Sequence, residues 1–273
     1  MRCWRRLGLL TLIAVGLAAC GPSGSDAPLP TLVDINQLPT AMFLTQNAPP
    51  PGFGDVNFDP IDRFLSDHLG WTYVVTGSFE GTLDATGDAA SGTFEVRVQS
   101  NEPGETRRVV LDVSGSAFLE DAGLLRLEGV RWSNDYYVVD VNGRCSQDEQ
   151  GGAAIADLSA GQIIGGVNRA VPTGYHQDIE GVPAWQYAFA PDAVRLPAVR
   201  QDTTSVVALE ADLWIAPGIN AALRYEVKAT VSHVRLLWAA PDSSPVSGTL
   251  YLRYDLSLPD LDIMPNISVP HGC

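Results

Sequence analysis

Positive charge is scarce in this sequence. Its 273 residues carry 17 Lys+Arg against 32 Asp+Glu, a formal charge of −15. So small a cationic complement lacks the counterion release that powers nucleic-acid binding, and nucleic acid is not an expected partner. Enzyme signatures are missing too: there is no GxSxG elbow, HExxH, CxxC, Walker A or GxGxxG. The four His (His68, His176, His233, His271) stand far apart without an i, i+4 partner, so no metal site is expected. Asp55, Asn57 and Asp59 imitate the first half of a calcium loop. Pro60 then stands where that loop needs Gly and Ser66 where it needs a bidentate Glu, so no calcium site is expected either. Acids such as Asp88, Glu102, Asp121, Asp135, Asp148 and Glu149 sit in turns, as on a solvated surface, and no nucleophile–base pair stands out. No cofactor and no catalysis are expected. What the chain does have is 45% hydrophobic content with only 18% charged residues, which makes it a folded globule, and 26 Gly with 19 Pro, which favour many turns over long helices.

The first residues have a different character. In MRCWRRLGLLTLIAVGLAAC, Arg2, Arg5 and Arg6 precede an apolar run, Leu7 to Leu17, that is short for a bilayer span. Leu17-Ala18-Ala19-Cys20 resembles the lipobox of bacterial lipoprotein signal peptides; an uncleaved membrane helix is the alternative. The resemblance implies cleavage of a leader at residues 1–19 and diacylglycerol on the sulfur of Cys20. It places the protein at the cell membrane, lipid-anchored on its extracytoplasmic face. Three cationic residues and no acid leave with residues 1–20, so the net charge becomes −18. A surface so acidic is repelled by anionic headgroups, which makes lipid rather than charge the expected means of attachment. Cys145 and Cys273 then remain, in an oxidising compartment; a disulfide between them is one reading, and two free thiols or an intermolecular link the other.

Residues 20–58, with GPSGSDAP, PLP and NAPPPG, read as a flexible Pro/Gly-rich tether. A single domain is expected over residues 59–273. Asp59 as N-cap and Pro60 at the first helical position predict a short helix through Leu69, burying Ile61, Phe64, Leu65 and Leu69. From Gly70 the apolar period becomes two. Trp71–Val75 and Gly77–Leu83, as a strand pair or one long strand, then Thr93–Gln99, Arg107–Ser114, Leu124–Val130 and Tyr136–Val141 predict an antiparallel meander. One or two short helices are expected within Ala153–Ile164, and Pro191–Pro197 reads as a loop or as a short helix over Asp192–Arg195. A Glu180-Gly181 turn predicts a hairpin from Tyr175 to Phe189, and three strands follow in Val206–Ile215, Leu223–Trp238 and Val246–Leu258. Leu223, Tyr225, Val227, Ala229 and Val231 alternate with polar residues, as do Leu250, Leu252, Tyr254, Leu256 and Leu258, so one sheet face is expected to be apolar and the other wet.

Three stretches carry a family resemblance: Ile179-Glu-Gly-Val-Pro-Ala-Trp-Gln-Tyr187, Ala211-Asp-Leu-Trp-Ile-Ala216, and the ending from Gly248 through Pro265-Asn-Ile-Ser-Val-Pro-His-Gly-Cys273. With the element order, they resemble the LppX/LprG-type lipoproteins and, more distantly, the LolA-like carriers. The resemblance implies a mainly β fold: a curved antiparallel sheet, an open half-barrel, with a few short helices on its concave face. It also implies a hydrophobic or lipid ligand held without chemical turnover. Trp185 and Tyr187, beside the turn, and Trp214 are the candidates for a cavity mouth. The alternative is a solid core, in which case the chain would be an adhesion or assembly module, or an accessory subunit of an envelope complex.

Overall fold

Period-two alternation delivers one large antiparallel sheet. A computed structural model describes residues 38–119, 123–200 and 205–273. The leader, Cys20 and the tether up to residue 37 lie outside the described residues. Strand β1 is Val56–Phe58, and the meander follows as β2 (Gly70–Leu83), β3 (Ala89–Asn101), β4 (Thr106–Ser114), β5 (Leu124–Trp132), β6 (Asp135–Val139) and β7 (Cys145–Gln147). The second half comprises β8 (Gly166–Ile179), β9 (Val182–Ala188), the two-residue β10 (Val194–Arg195) and β11 (Val199–Arg200), then β12 (Ser205–Ala216), β13 (Ala221–Leu236) and β14 (Val246–Leu256). Their order is β1-β8-β9-β12-β13-β14-β2-β3-β4-β5-β6-β7, so the sheet is open, with β10 beside β8 and β11 beside β13. The two halves of the chain meet where β14 runs along β2, from Val246 opposite Leu83 to Leu256 opposite Tyr73.

The apolar rows fall on one face, as alternation requires. Tyr73, Val75, Tyr225, Val227, Ala229, Leu250, Leu252 and Tyr254 are completely buried there. Helices α2 (Glu149–Ala156) and α3 (Ala160–Ile163) cover this inner face. Gly129 lets α2 close onto β5, because a Cβ at that position would stand 2.6 Å from the Ala156 amide nitrogen. Gly77 does the same for a side chain: the Phe94 ring occupies the space its Cβ would take. Both helices are capped by their own sequence. Asp148 accepts from the Gln150 and Gly151 amides, and Ser159 with Gln162 forms a capping box.

Three expectations are corrected. No α-helix forms over residues 60–69; the segment turns and ends in a short 3₁₀ turn, Leu65–Asp67. Tertiary bonds compete with the helix. The Asp59 carboxylate pairs with Arg195 at 2.7 Å instead of capping, and the Ile61 amide donates across to Gly165. Ile61 and Leu65 are buried as expected, whereas Leu69 is 53% exposed. The compact unit begins at Met42 rather than residue 59, since helix α1 (Leu38–Gln46) and β1 occupy the stretch read as tether. Finally, the polar face is not wet throughout. The C-terminal segment crosses it beside Arg108, Glu128 and Val139, buries Ile267, and ends in a disulfide between Cys273 and Cys145, Cα atoms 5.3 Å apart.

Candidate functional site

The centre of the inner face is filled. Residues whose accessible surface is zero leave no neighbouring space for even a water molecule, and they form a continuous row across β12, β13, β14, β2 and β3: Leu213, Tyr225, Tyr254, Val75, Val96. Aromatic packing does much of this. Tyr73 lies against Trp71 and Tyr254 with ring centroids 5.3 and 5.2 Å away, and Phe94 meets Phe118 and Trp238 edge-on. The solid core weighed against a deep cavity therefore describes this region.

A polar node fastens the cover to the sheet. The Tyr73 hydroxyl donates to Asp62 at 3.2 Å and accepts from the Ala160 amide at 2.8 Å. Asp62 accepts from Ala160 and Gly161, at the start of α3. Arg107 donates to the Leu158 carbonyl at 2.8 Å and lies 5.1 Å over the Trp71 ring. Burial, and then the Asp62 charge, pushes the Tyr73 phenol well above its ordinary range. Burial likewise raises Tyr187, Tyr225 and Tyr254. Sequence reading placed Tyr73 in a strand without a role and had no signal for Asp62 or Arg107, whose partners lie in distant segments.

The three residues expected at a cavity mouth have separate fates. Trp185 and Tyr187 share the inner face of β9 and both hold the incoming chain: Trp185 Nε1 donates to the Asn47 carbonyl at 3.1 Å and the Tyr187 hydroxyl to Phe53 at 2.8 Å. Residues 47–53 thus lie where an open mouth was expected. Trp214 points the other way. It stands opposite Gln186 on the outer row and donates to Asp212 at 2.8 Å.

Open space lies one step further along the same hairpin. Ala188 pairs with Val171, but Val194 of β10 pairs with Val167, so the five residues between them, 189–193, must bow away from the three they face, Asn168–Ala170. The result is a groove of about 430 Å³, lined by Ala170, Val171, Ala188, Phe189, Ala190 and Ala193, with Asn168, Arg169 and Asp192 also contributing. Its volume and its apolar lining with a few polar groups suit a small hydrophobic or amphipathic molecule. Arg169 is held by Asp55 at 3.0 Å, and Phe189 packs toward the inner-face Tyr225, ring centroids 6.2 Å apart. The Ala-Phe-Ala-Pro-Asp-Ala run after the hairpin was the available signal, and it reads equally well as an ordinary loop. Among the described residues there is no group of three or more side chains placed to hold a metal ion, and no helix is long and apolar enough to cross a membrane.

No family model and no curated protein matches the sequence. Among solved structures, the chain is similar to an uncharacterized conserved protein from Thermus thermophilus at 12% identity, over 83% of this chain and 95% of that one, with a TM-score of 0.26. It is similar to a LolA superfamily protein from Nitrosomonas europaea at 9% identity, over 74% and 92%, with a TM-score of 0.22. A DUF1329 family protein from Desulfovibrio piger matches at 9% identity over 78% and 97%, with a TM-score of 0.22.

Proposed function

We propose that this protein is a lipid-anchored component of a bacterial cell envelope that binds a hydrophobic or amphipathic ligand in the groove between β8 and the 189–193 segment, without transforming it. The observation that carries the reading is the groove itself: mostly apolar side chains line about 430 Å³ at a break in the pairing of β8. Each Å² of apolar ligand surface moved there from water contributes about 25 cal/mol, so apolar burial supplies the driving force in this reading. Attachment rests on Cys20 and its lipobox-like context. The exposed Met42, Phe43 and Leu44, where the compact unit begins, suit a position near the membrane.

Filling the groove tests the reading. Ala188 is exposed, so Ala188→Trp adds bulk without entering the core. The neutral probe N-phenyl-1-naphthylamine, added to the full chain in detergent, is expected to brighten with the native protein and to lose at least three-quarters of that signal, roughly 1 kcal/mol of binding, in the variant. Equal brightening in both would remove the groove from the proposal.

A further inference from the structure

Between β9 and β12 the sheet has a second discontinuity. Only Leu213, Trp214 and Ile215 of β12 pair with β9, opposite Tyr187, Gln186 and Trp185. On its other side β12 stays paired with β13 back to Ser205. Residues 206–212 therefore keep a strand edge with no partner strand among the described residues, regular from Ala208 onward, the β12–β13 register slipping between Val206 and Ala208. Such an edge is a ready template for one more strand.

The other edges are blunted. β7 has three residues and is tied to the C-terminus by its disulfide. The outer edge of β8 is paired with β1 near Ala170; further on, the β8–β9 register breaks between Pro172 and His176, and Phe43 and Leu44 lie close against Gly174.

The pairing of β12 fixes what an added strand would meet. Leu209 and Ala211 stand opposite Ala229 and Val227 of the buried row, so they belong to the inner face; Glu210 and Asp212 stand opposite Lys228 and Glu226 on the outer face. Val207 is 66% and Val206 40% exposed. Asp212 accepts from two neutral donors, Gln186 and Trp214, each at 2.8 Å, so its charge is not neutralised. Glu210 has only the exposed Lys228, at 3.5 Å, a contact worth little. Lys228 is the single lysine of the chain.

We propose that the free edge of β12, Val206 to Asp212, receives an extended segment of a partner protein in which apolar residues alternate with Arg or Lys. The apolar residues would continue the inner face past Leu209 and Ala211, and the basic ones would face Glu210 and Asp212 across the new ladder. A second copy of this chain fits worse, because pairing two such edges sets one acidic row beside another.

The test uses the full chain in detergent and three end-capped seven-residue peptides. One alternates Val with Arg, one alternates Val with Glu, and the third is the Val/Arg peptide N-methylated at alternate residues to block strand pairing. The Val/Arg peptide is expected to bind by fluorescence anisotropy and to slow amide exchange at residues 206–212. Each of the other two peptides should bind at least about tenfold more weakly, and Glu210→Gln with Asp212→Asn should weaken the Val/Arg peptide about three- to tenfold. Equal binding of the N-methylated peptide, protection at β7 or β8 instead of β12, or a protein that already self-associates with residues 206–212 protected would each overturn the proposal.

Discussion

A phenol that loses its water stays protonated, and four phenols share that condition in this protein. Burial raises Tyr73, Tyr187, Tyr225 and Tyr254 above the ordinary value of 10.0, with nearby carboxylates adding to the effect at Tyr73, Tyr225 and Tyr254. The sign of the linkage follows. The folded state favours the neutral form, so this stabilisation is whole below pH 10 and declines as the pH rises above it, because only the unfolded chain can ionise there freely. Alkaline titration is expected to show a cooperative loss of circular dichroism above pH 10, with a burst of tyrosinate absorbance at the same pH. Tyrosinate absorbance from these residues while the sheet signal stays native would contradict it. These residues also mark what is legible at this scale. Tyr225 and Tyr254 were placed inward by alternation alone, since a period of two leaves them no other face. Trp214 obeys the same parity and falls on the outer face, so parity already separated it from Tyr187. Asp62 and Arg107 were not legible, because a buried polar contact depends on segments that meet only after folding.

Among elements, long strands were read well and short ones poorly. β2, β13 and β14 carry enough alternating positions to announce themselves, whereas β10 and β11 have two residues each and owe their existence to neighbours. The missing helix after Pro60 shows the same limit from the other side. Its capping signals were sound, but local propensity is worth a few tenths of a kcal/mol per residue and tertiary bonds to Arg195 and Gly165 outweigh it. The C-terminal segment has little regular structure and is held by scattered contacts, the Asp262 amide on the Gly70 carbonyl, Asn101 on the Pro265 carbonyl and the buried Ile267, as well as by its terminal disulfide. Its disulfide closes a loop spanning 128 residues in sequence. Replacing Cys273 by Ser is expected to lower stability to urea by about 2–5 kcal/mol, with amide protection lost first in β7 and residues 257–272. A change below about 0.5 kcal/mol would show that the segment holds its place without the bond.

At the scale of the whole molecule, the scarcity of positive charge and the lipobox-like Cys20 point the same way. An acidic surface gains nothing from anionic lipid, so the attachment proposed here is assigned to acyl chains on Cys20. Cys20→Ser is accordingly expected to move the protein from the membrane pellet to the soluble fraction and to abolish incorporation of labelled palmitate. Continued sedimentation of the variant with membranes would assign attachment to another part of the chain. The inner face was expected to be apolar, and it is; whether it would be hollow was not legible, because alternation specifies which side is buried but not what fills it. The groove beside β8 is one place where apolar-lined space remains. The most direct test is mass spectrometry of the organic extract from the purified full chain and from Ala188→Trp, prepared identically with matched detergent blanks. The account predicts a stoichiometric hydrophobic species in the native extract that is strongly depleted in the variant, and equal amounts in both, or none in the native protein, would contradict it.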